Sequence, residues 1–227
     1  MFQSNTNTER YERKFVFAQS DKNFVQQIIK HNPAGFREIY HKRQVNNIYF
    51  DTAGFKNYYD TINGTTNRVK VRLRWYNKTF DTAKTPVLEF KYKTGLVGKK
   101  LTFGLNSFDF SRIDKQKVKN FILNSNLPAW VIDEIKTLYP VLINSYTRQY
   151  FLSFDNKYRF TLDYNLQYFN FNCIKFNENN PLTILELKYN IEHNSNAQRI
   201  TNNLPVRLSN FSKYATAVEK IYPVFTC

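Results

Sequence analysis

A chain of 227 residues, of which 42% are hydrophobic, has enough apolar side chains for the core of one large domain. Lysine and arginine exceed the acids by 33 to 18, a net charge of +15 that favours nucleic acid, an anionic membrane or a polyphosphate as partner. The chain has only two cysteines, Cys173 and Cys227, without metal-ligand spacing, which argues against a disulfide framework.

Alternation of apolar and polar residues predicts strands at 10–17, 45–50, 67–76, 86–93, 98–104, 146–154, 157–164, 166–174 and 182–189. Helical spacing of apolar residues predicts helices at 21–31, 115–123, 129–138 and 212–221. Most elements are strands, so we expect a mainly β (α+β) fold in which an antiparallel sheet has flanking helices. No repeat or Pro/Gly linker divides the chain, and we expect a single domain over residues 1–227.

Residues 1–14 are polar and charged, and they lack the apolar core of a signal peptide. No stretch of the sequence approaches the ~20 apolar residues that a membrane-spanning helix needs. We therefore expect a cytoplasmic protein that is not itself a membrane protein. Whether it has a membrane protein as a partner stays open.

The strand predicted over 67–76 carries a row of cations. Arg68, Lys70, Arg72 and Arg74 occupy every second position, and apolar residues fill the positions between them. Since alternate strand side chains point to opposite faces, the four charges share one face and extend over about 20 Å at ~3.3 Å per residue. Such a row of like charge is costly unless a polyanion lies along it, which indicates a phosphate-binding face.

Charges of both signs alternate on further predicted strands, in the pairs Glu12/Lys14, Glu89/Lys91, Arg159/Asp163 and Glu186/Lys188. The ordinary interpretation is a half-buried strand that turns its charged face to water. These faces are nearly pure Arg, Lys and Glu, which favours a closed barrel with a polar interior instead. Its cations would bind phosphate oxygens, and its carboxylates would hold Mg²⁺ or Mn²⁺.

Eight segments in order along the chain resemble the triphosphate tunnel metalloenzymes and, within them, the polyphosphate polymerase (VTC) branch. They are Tyr11-Glu12-Arg13-Lys14, Asn47-Ile48-Tyr49-Phe50-Asp51-Thr52, Arg72-Leu73-Arg74-Trp75-Tyr76, Leu88-Glu89-Phe90-Lys91, Tyr146-Thr147-Arg148, Arg159-Phe160-Thr161-Leu162-Asp163, Ile184-Leu185-Glu186-Leu187-Lys188 and Phe211-Ser212-Lys213-Tyr214. Each segment is short, but eight in the right order are fairly specific. The resemblance implies a closed antiparallel eight-stranded tunnel barrel, lined by charge, with flanking helices.

The resemblance also implies the residues of the site. The catalytic set, which would bind the nucleotide triphosphate and the product chain, is Lys14, Arg72, Arg74, Lys91, Arg148 and Arg159. Further substrate contacts would come from Arg68, Lys70, Lys93, Tyr146, Lys188, Ser212 and Lys213, the last two closing one end of the tunnel. Glu186 would hold the metal, Mn²⁺ or Mg²⁺, with help from Glu12 or Glu89.

The sequence departs from the family pattern at two positions. Hydrolytic members start with Glu-x-Glu-x-Lys, whereas this chain has Arg10 in place of the first glutamate. The loss of one acid weakens a second metal site, which fits the polymerase branch better than two-metal hydrolysis. Asn210 stands where polymerases often have a lysine before the Phe-Ser-Lys segment, so one phosphate contact is expected to be missing.

We therefore expect an ATP-dependent polyphosphate polymerase that transfers the γ-phosphoryl group of ATP to a growing chain, with ATP and inorganic polyphosphate as partners and no specific nucleic acid. Two alternatives stay open. One is a metal-dependent triphosphatase in which Glu89 or Asp163 positions water. The other is a non-catalytic barrel that binds polyphosphate or nucleic acid. The sequence leaves the identity of the metal, the product length and the oligomeric state unassigned.

Overall fold

The computed structural model describes residues 10–18, 22–95, 97–172, 175–176 and 182–222. Its strands are β1 (Arg10–Phe17), β2 (Arg37–Asp51), β3 (Asn67–Tyr76), β4 (Thr82–Ala83), β5 (Val87–Thr94), β6 (Val97–Gly104), β7 (Phe108–Asp109), β8 (Tyr139–Leu152), β9 (Tyr158–Phe169), β10 (Lys175–Phe176) and β11 (Thr183–Asn190). Its α-helices are α1 (Lys22–Lys30), α2 (Lys56–Ile62), α3 (Lys115–Leu123), α4 (Ala129–Thr137), α5 (Asn194–Thr201) and α6 (Lys213–Ile221), and a short 3-10 helix covers Ile191–His193.

Every predicted strand and helix has a counterpart, and the prediction of an antiparallel sheet with flanking helices is confirmed. The strands predicted at 157–164 and 166–174 are one strand, β9, which continues through a left-handed Asn165 with φ of 53°. This irregularity lies opposite a register shift between Ser145 and Thr147 of β8, and it changes the phase of the alternation that the sequence pattern follows. The end of the second predicted strand, with Cys173, lies outside the described residues, as does Cys227.

The main sheet is antiparallel throughout, with the strand order β1-β11-β9-β8-β2-β3-β5-β6, and β10 pairs with β9. A separate two-stranded ladder joins β4 and β7. The sheet is strongly curled, because Lys91 Nζ on β5 lies 2.6 Å from Glu12 Oε2 on β1, near the other end of the strand order. The cationic and anionic side chains of opposite strands therefore face one another across a concave surface.

The closed barrel expected from the resemblance is not what the structure shows. Among the described residues, no ladder joins β1 to β6. The edge of β1 is taken up by the segment before α6, since the Ser209 amide donates to the Lys14 carbonyl at 2.8 Å and Phe15 bridges to Leu208. The other edge, β6, exposes Lys100, and an exposed lysine discourages strand addition. The sheet is thus curled but open between β1 and β6.

Apolar side chains point away from the concave surface and are covered by two pairs of helices. Helices α3 and α4 pack on a cluster that includes Ile48, Val71, Leu73, Trp75, Leu88 and Phe90. Helices α1 and α5 pack on a second cluster that includes Phe15, Phe160, Leu162, Leu185 and Leu187. At about 25 cal/mol per Å² of apolar surface, burial of these clusters drives the folding of the sheet. The charged residues therefore occupy the inner face because the outer face of the same strands is the core.

Helix α6 fills one end of the concave surface. Tyr214 of α6 stacks on Tyr49 of β2 with ring centroids 5.0 Å apart, inside a third apolar cluster with Tyr146, Tyr168 and Ile184. The Tyr214 hydroxyl donates to the buried Asp51 carboxylate. The first turn of α6 is thereby directed at the charged part of the inner face. Within the described part of the chain, no helix is long and apolar enough to span a bilayer.

Candidate active site on the concave face

The first charged cluster surrounds Glu89 of β5, whose side chain is buried. Its carboxylate accepts from Arg72 Nε at 2.6 Å and lies 3.3 Å from Lys100 Nζ and 3.7 Å from Arg74 Nη1. Burial alone would raise the pKa of Glu89, but Arg72 and Arg74 outweigh it and hold the pKa well below its usual range. Glu89 therefore remains ionised while three cations stay beside it.

The second cluster surrounds Asp163 of β9, which is fully buried. Arg148 donates to its two oxygens at 2.6 and 2.7 Å, a bidentate geometry, and Lys213 Nζ lies 2.6 Å away. Burial acts to raise the pKa of Asp163, but Arg148 and Lys213 lower it to about 2. The carboxylate fixes the direction of both cations on the inner face.

The third cluster brings together Glu12 of β1 and Glu186 of β11. Lys188 Nζ lies 3.3 Å from Glu186 and 3.9 Å from Glu12, and Lys91 Nζ lies 2.6 Å from Glu12. Arg148 connects this cluster to the second, with Nη2 3.9 Å from Glu186. Burial would raise the pKa of Glu186, but Lys188 and Lys14 hold it well below its usual range.

Tyr146 lies between the Glu89 and Asp163 clusters. Its hydroxyl is 3.3 Å from Arg74 Nη2, and its ring centre lies 5.3 Å from the Arg148 guanidinium carbon and 4.8 Å from Lys213 Nζ. Burial would raise the pKa of Tyr146, but Arg148 and Arg74 lower it. The three clusters thus form one continuous charged surface with an aromatic ring at its centre.

Two lysines of this surface, Lys14 and Lys70, form no ion pair among the described residues and donate to neutral oxygens instead. Lys14 Nζ donates to the Phe211 carbonyl at 3.0 Å, and Lys70 Nζ donates to Ser212 Oγ at 2.9 Å. Desolvation lowers the pKa of Lys14 to about 8, aided by Lys91 and opposed by Glu186. Burial and the neighbouring lysines hold the pKa of Lys70 well below its usual range. This unbalanced positive charge is suited to an anionic ligand.

The same two lysines lie at the N-terminus of α6. Ser212 is its N-cap, and Ser212 Oγ accepts from the Ala215 amide at 3.3 Å. Helix N-termini present unpaired amides and the positive end of the helix dipole, which favour phosphate. Lys14 and Lys70 therefore place positive charge beside this terminus, where Lys213 is the first residue of the helix.

The remaining predicted residues lie at the margins. Arg68 and Lys93 face each other across β3 and β5, and Arg68 donates to the Thr65 carbonyl at 3.0 Å. Arg159 lies opposite Lys188 across β9 and β11, and its Nε is buried without a hydrogen-bond partner. These side chains extend the charged surface without an acid of their own within 4.0 Å in the described chain.

The structure does not bring the three predicted metal ligands together. Glu12 and Glu186 share Lys188, whereas Glu89 belongs to a separate cluster with Arg72 and Lys100. No group of three or more metal-binding side chains occurs among the described residues. Two carboxylates with no third protein ligand still suit Mg²⁺ or Mn²⁺ when substrate phosphates complete the coordination shell.

Sequence reasoning missed residues that hold the arginines in place. Asn47 Oδ1 accepts from Arg74 Nε at 2.8 Å, and Asn47 Nδ2 donates to Asn144 Oδ1 at 2.7 Å. A signal was present, because Asn47 is a polar residue inside the buried part of β2, and a buried amide needs hydrogen-bond partners. The role of Lys100 beside Glu89 was also missed, although it follows the alternation of the strand predicted over 98–104.

Three solved structures share this fold at low sequence identity. The PH1819 protein of Pyrococcus horikoshii OT3 aligns with a TM-score of 0.53 and 13% identity over 93% of this chain and 99% of its own. HpAC1 from Hippeastrum, a candidate adenylyl cyclase with a dominant triphosphatase activity, aligns with a TM-score of 0.53 and 14% identity over 91% of this chain and 94% of its own. A candidate adenylate cyclase from Bacillus halodurans aligns with a TM-score of 0.53 and 14% identity over 90% of this chain and 94% of its own. The shared architecture is the triphosphate tunnel fold.

The sequence of the chain shows the family to which it belongs. The family model of the VTC domain matches residues 9–222, and the chain therefore belongs to the VTC domain family. No curated protein sequence matches it. Membership supports a polyphosphate-related or triphosphatase function, that is, an enzyme of the phosphoryl-transfer kind.

Proposed function

We propose that this protein is an ATP-dependent polyphosphate polymerase, with ATP and inorganic polyphosphate bound on the concave face. The observation that carries the proposal is the unpaired positive charge of Lys14 and Lys70 at the N-terminus of α6, beside arginines that carboxylates hold in fixed directions. A row of phosphates would neutralise this charge. The VTC family match supports phosphates rather than another polyanion as the ligand.

The proposed reaction needs no side-chain nucleophile. A terminal oxygen of the polyphosphate attacks the γ-phosphorus of ATP, the bond from that phosphorus to the β–γ bridging oxygen breaks, and ADP leaves. Catalysis of phosphoryl transfer depends on alignment and on stabilising charge at the phosphoryl oxygens. Arg72 and Arg148 suit this task because buried carboxylates orient them at 2.6 Å, and Arg74 suits it because Asn47 Oδ1 accepts from its Nε at 2.8 Å.

Relatives with the triphosphate tunnel fold typically use divalent metals, and Glu12 and Glu186 are the residues that would hold Mn²⁺ or Mg²⁺ here. A bound divalent ion supplies positive charge to the phosphate oxygens. In its absence Lys188 and Lys91 neutralise the two glutamates. We propose that, when the metal binds the two carboxylates, these lysines leave them and contact the phosphates.

A metal-dependent triphosphatase is the second candidate, favoured by the triphosphatase activity of the Hippeastrum protein with the same fold. Hydrolysis needs a carboxylate that can orient or deprotonate water. The two candidates are Glu89 and Asp163. Burial raises their pKa values, but Arg72 beside Glu89 and Arg148 beside Asp163 outweigh burial and lower them. Both carboxylates are therefore weak bases. This supports transfer to phosphate over transfer to water. Binding without catalysis is the third candidate.

Incubation of the full chain with ATP and Mn²⁺ separates the three candidates. A polymerase gives a ladder of polyphosphate on a gel and ADP in equal amount to the phosphate incorporated. Orthophosphate without chains would establish the triphosphatase, and retention of ligand without ADP would establish a binding protein. Lys14→Met should abolish most chain synthesis, while Lys136→Met, which removes an exposed lysine paired with Asp133 on the outer helix α4, should leave it unchanged.

A further inference from the structure

Three tyrosines and an arginine lie at the end of the concave face that α6 does not fill. They are Tyr40 and Arg43 of β2, Tyr76 of β3 and Tyr150 of β8, and we name them the tyrosine mouth. The Arg43 guanidinium carbon lies 5.7 Å from the Tyr40 ring centre and 5.8 Å from that of Tyr76. Tyr40 also contacts Tyr150 edge-to-face, with centroids 5.7 Å apart. The guanidinium thus lies between two tyrosine rings.

The tyrosine mouth continues the charged surface directly. In the ladder between β2 and β8, Arg43 lies opposite Arg148, and Tyr40 lies opposite Tyr150. Tyr76 lies two residues after Arg74 on β3, so the two side chains share a face. Tyr150 lies two residues after Arg148 on β8, so these two side chains share a face as well. The aromatic rings therefore begin where the proposed phosphate site ends.

The rings remain accessible on a face that is otherwise charged and recessed. Tyr40 is 53% exposed and Tyr76 is 37% exposed, whereas Arg74 and Arg148 are each 9% exposed. A polyphosphate chain gains nothing from an aromatic face, because it has no ring to stack. A flat, uncharged ring attached to a triphosphate does gain, from stacking on tyrosine and on a guanidinium plane.

We propose that the tyrosine mouth binds the nucleobase of the nucleoside triphosphate by stacking, with the phosphates directed towards Arg74 and Arg148. This rests on the proposed function, since it needs a nucleotide in the adjoining site. One strand step of two residues, about 7 Å, separates Tyr150 from Arg148, which leaves room for the ribose between base and phosphates. The mouth would make a nucleoside triphosphate a better ligand than inorganic tripolyphosphate, independently of which base it carries.

The test compares two ligands on the same variants by isothermal titration calorimetry with Mn²⁺ present. The ligands are a non-hydrolysable ATP analogue and inorganic tripolyphosphate, and the variant is the double substitution Tyr40→Ala and Tyr76→Ala. Loss of base stacking, worth ~1–3 kcal/mol per base, should weaken binding of the analogue by about 5- to 150-fold. Affinity for tripolyphosphate should stay within about twofold of wild type, because the phosphate contacts are untouched.

Tyr139→Ala is the matched control, since Tyr139 is 51% exposed but lies on the first residue of β8, against Lys119 of α3. It should alter neither affinity. An equal loss for both ligands in the double variant, or no loss for either, would overturn the nucleobase site. Wild-type protein that binds tripolyphosphate as tightly as the analogue would overturn it as well. Failure of wild type to bind either ligand would instead overturn the proposed function, and the mouth with it.

Discussion

At the scale of single residues, Lys14 carries a charge without an acid within 4.0 Å in the described part of the chain. Desolvation lowers its pKa to about 8, against 10.5 for a free lysine. A bound triphosphate favours the ammonium form and raises this pKa again. Binding should therefore take up protons near pH 8, and affinity should decrease as the pH rises above about 8. Calorimetric titrations in two buffers of different ionisation enthalpy measure this uptake.

Lys14→Met is the variant that isolates the effect. Uptake of protons should fall but not vanish, since burial also lowers the pKa values of Lys70 and Lys188. Between pH 8 and 10.5 the unfolded state binds more protons than the folded state at this position, so stability from Lys14 increases with pH. Lys14→Met should accordingly raise the free energy of unfolding at pH 7. Identical proton uptake in the variant and the wild type would contradict this account of Lys14.

Asp163, unlike Lys14, is a buried charge that forms ion pairs, with Arg148 and Lys213. Asp163→Asn leaves Lys213 without its counter-charge and Arg148 with only Glu186, at 3.9 Å, and we expect it to lower the free energy of unfolding in urea by about 3–5 kcal/mol. Because its folded pKa of about 2 is below the unfolded value of 3.8, its stabilisation is complete above pH 4 and is lost as the pH falls towards 2. Asp133→Asn, at an exposed position, should change stability by less than about 0.5 kcal/mol. Equal effects of the two substitutions would contradict the role of Asp163.

At the scale of elements, helix α6 joins the fold to the proposed site through Ser212. Its hydroxyl caps the helix and accepts from Lys70, so Ser212→Ala should lower stability by about 1 kcal/mol and weaken triphosphate binding severalfold. Asp114→Ala removes the matching cap of α3, where the side chain accepts from the Lys117 amide at 2.9 Å. It should lower stability equally and leave binding unchanged. Equal binding by both variants, measured by calorimetry, would exclude a ligand at the terminus of α6.

Elements with a strong pattern could be predicted from the sequence, and elements held by distant contacts could not. The cation row predicted β3 with its observed bounds, 67–76, because alternation and burial agree along it. Helix α2 was missed because its first amides are bound from outside the helix, by Asp51, which accepts from Asn57 and Tyr58 at 2.9 Å. The open seam beside β1 was missed because the segment at Leu208 and Ser209 covers that edge from far along the chain.

The candidate site could likewise be predicted only in part from the sequence. The alternating charges identified the strands and the face, since a two-residue period is local. The partners of each charge were not predictable, because Arg148 pairs with Asp163 across a ladder while Lys213 reaches the same acid from α6. The separation of Glu89 from Glu12 and Glu186 likewise depends on the curl of the sheet. Local sequence therefore predicted which residues are charged inward but not which of them meet.

At the scale of the whole molecule, a net charge of +15 with a concentrated inner surface predicts stabilisation by anions. Tripolyphosphate with Mn²⁺ at 100 times its dissociation constant should add about 2.7 kcal/mol to the free energy of unfolding. For a chain of this size, that corresponds to a rise in Tm of roughly 5–10 °C. Sodium chloride at equal ionic strength should produce a much smaller shift in the same thermal scan. Equal shifts would indicate general screening and no built phosphate site.

The central claim is that a nucleoside triphosphate lies along the concave face. A crystal structure with a non-hydrolysable ATP analogue and Mn²⁺ tests it most directly. We expect the triphosphate to contact Arg72, Arg74 and Arg148, with its chain directed towards the N-terminus of α6. Density for the analogue on the outer helices, with the inner ion pairs unchanged from those described above, would contradict the claim.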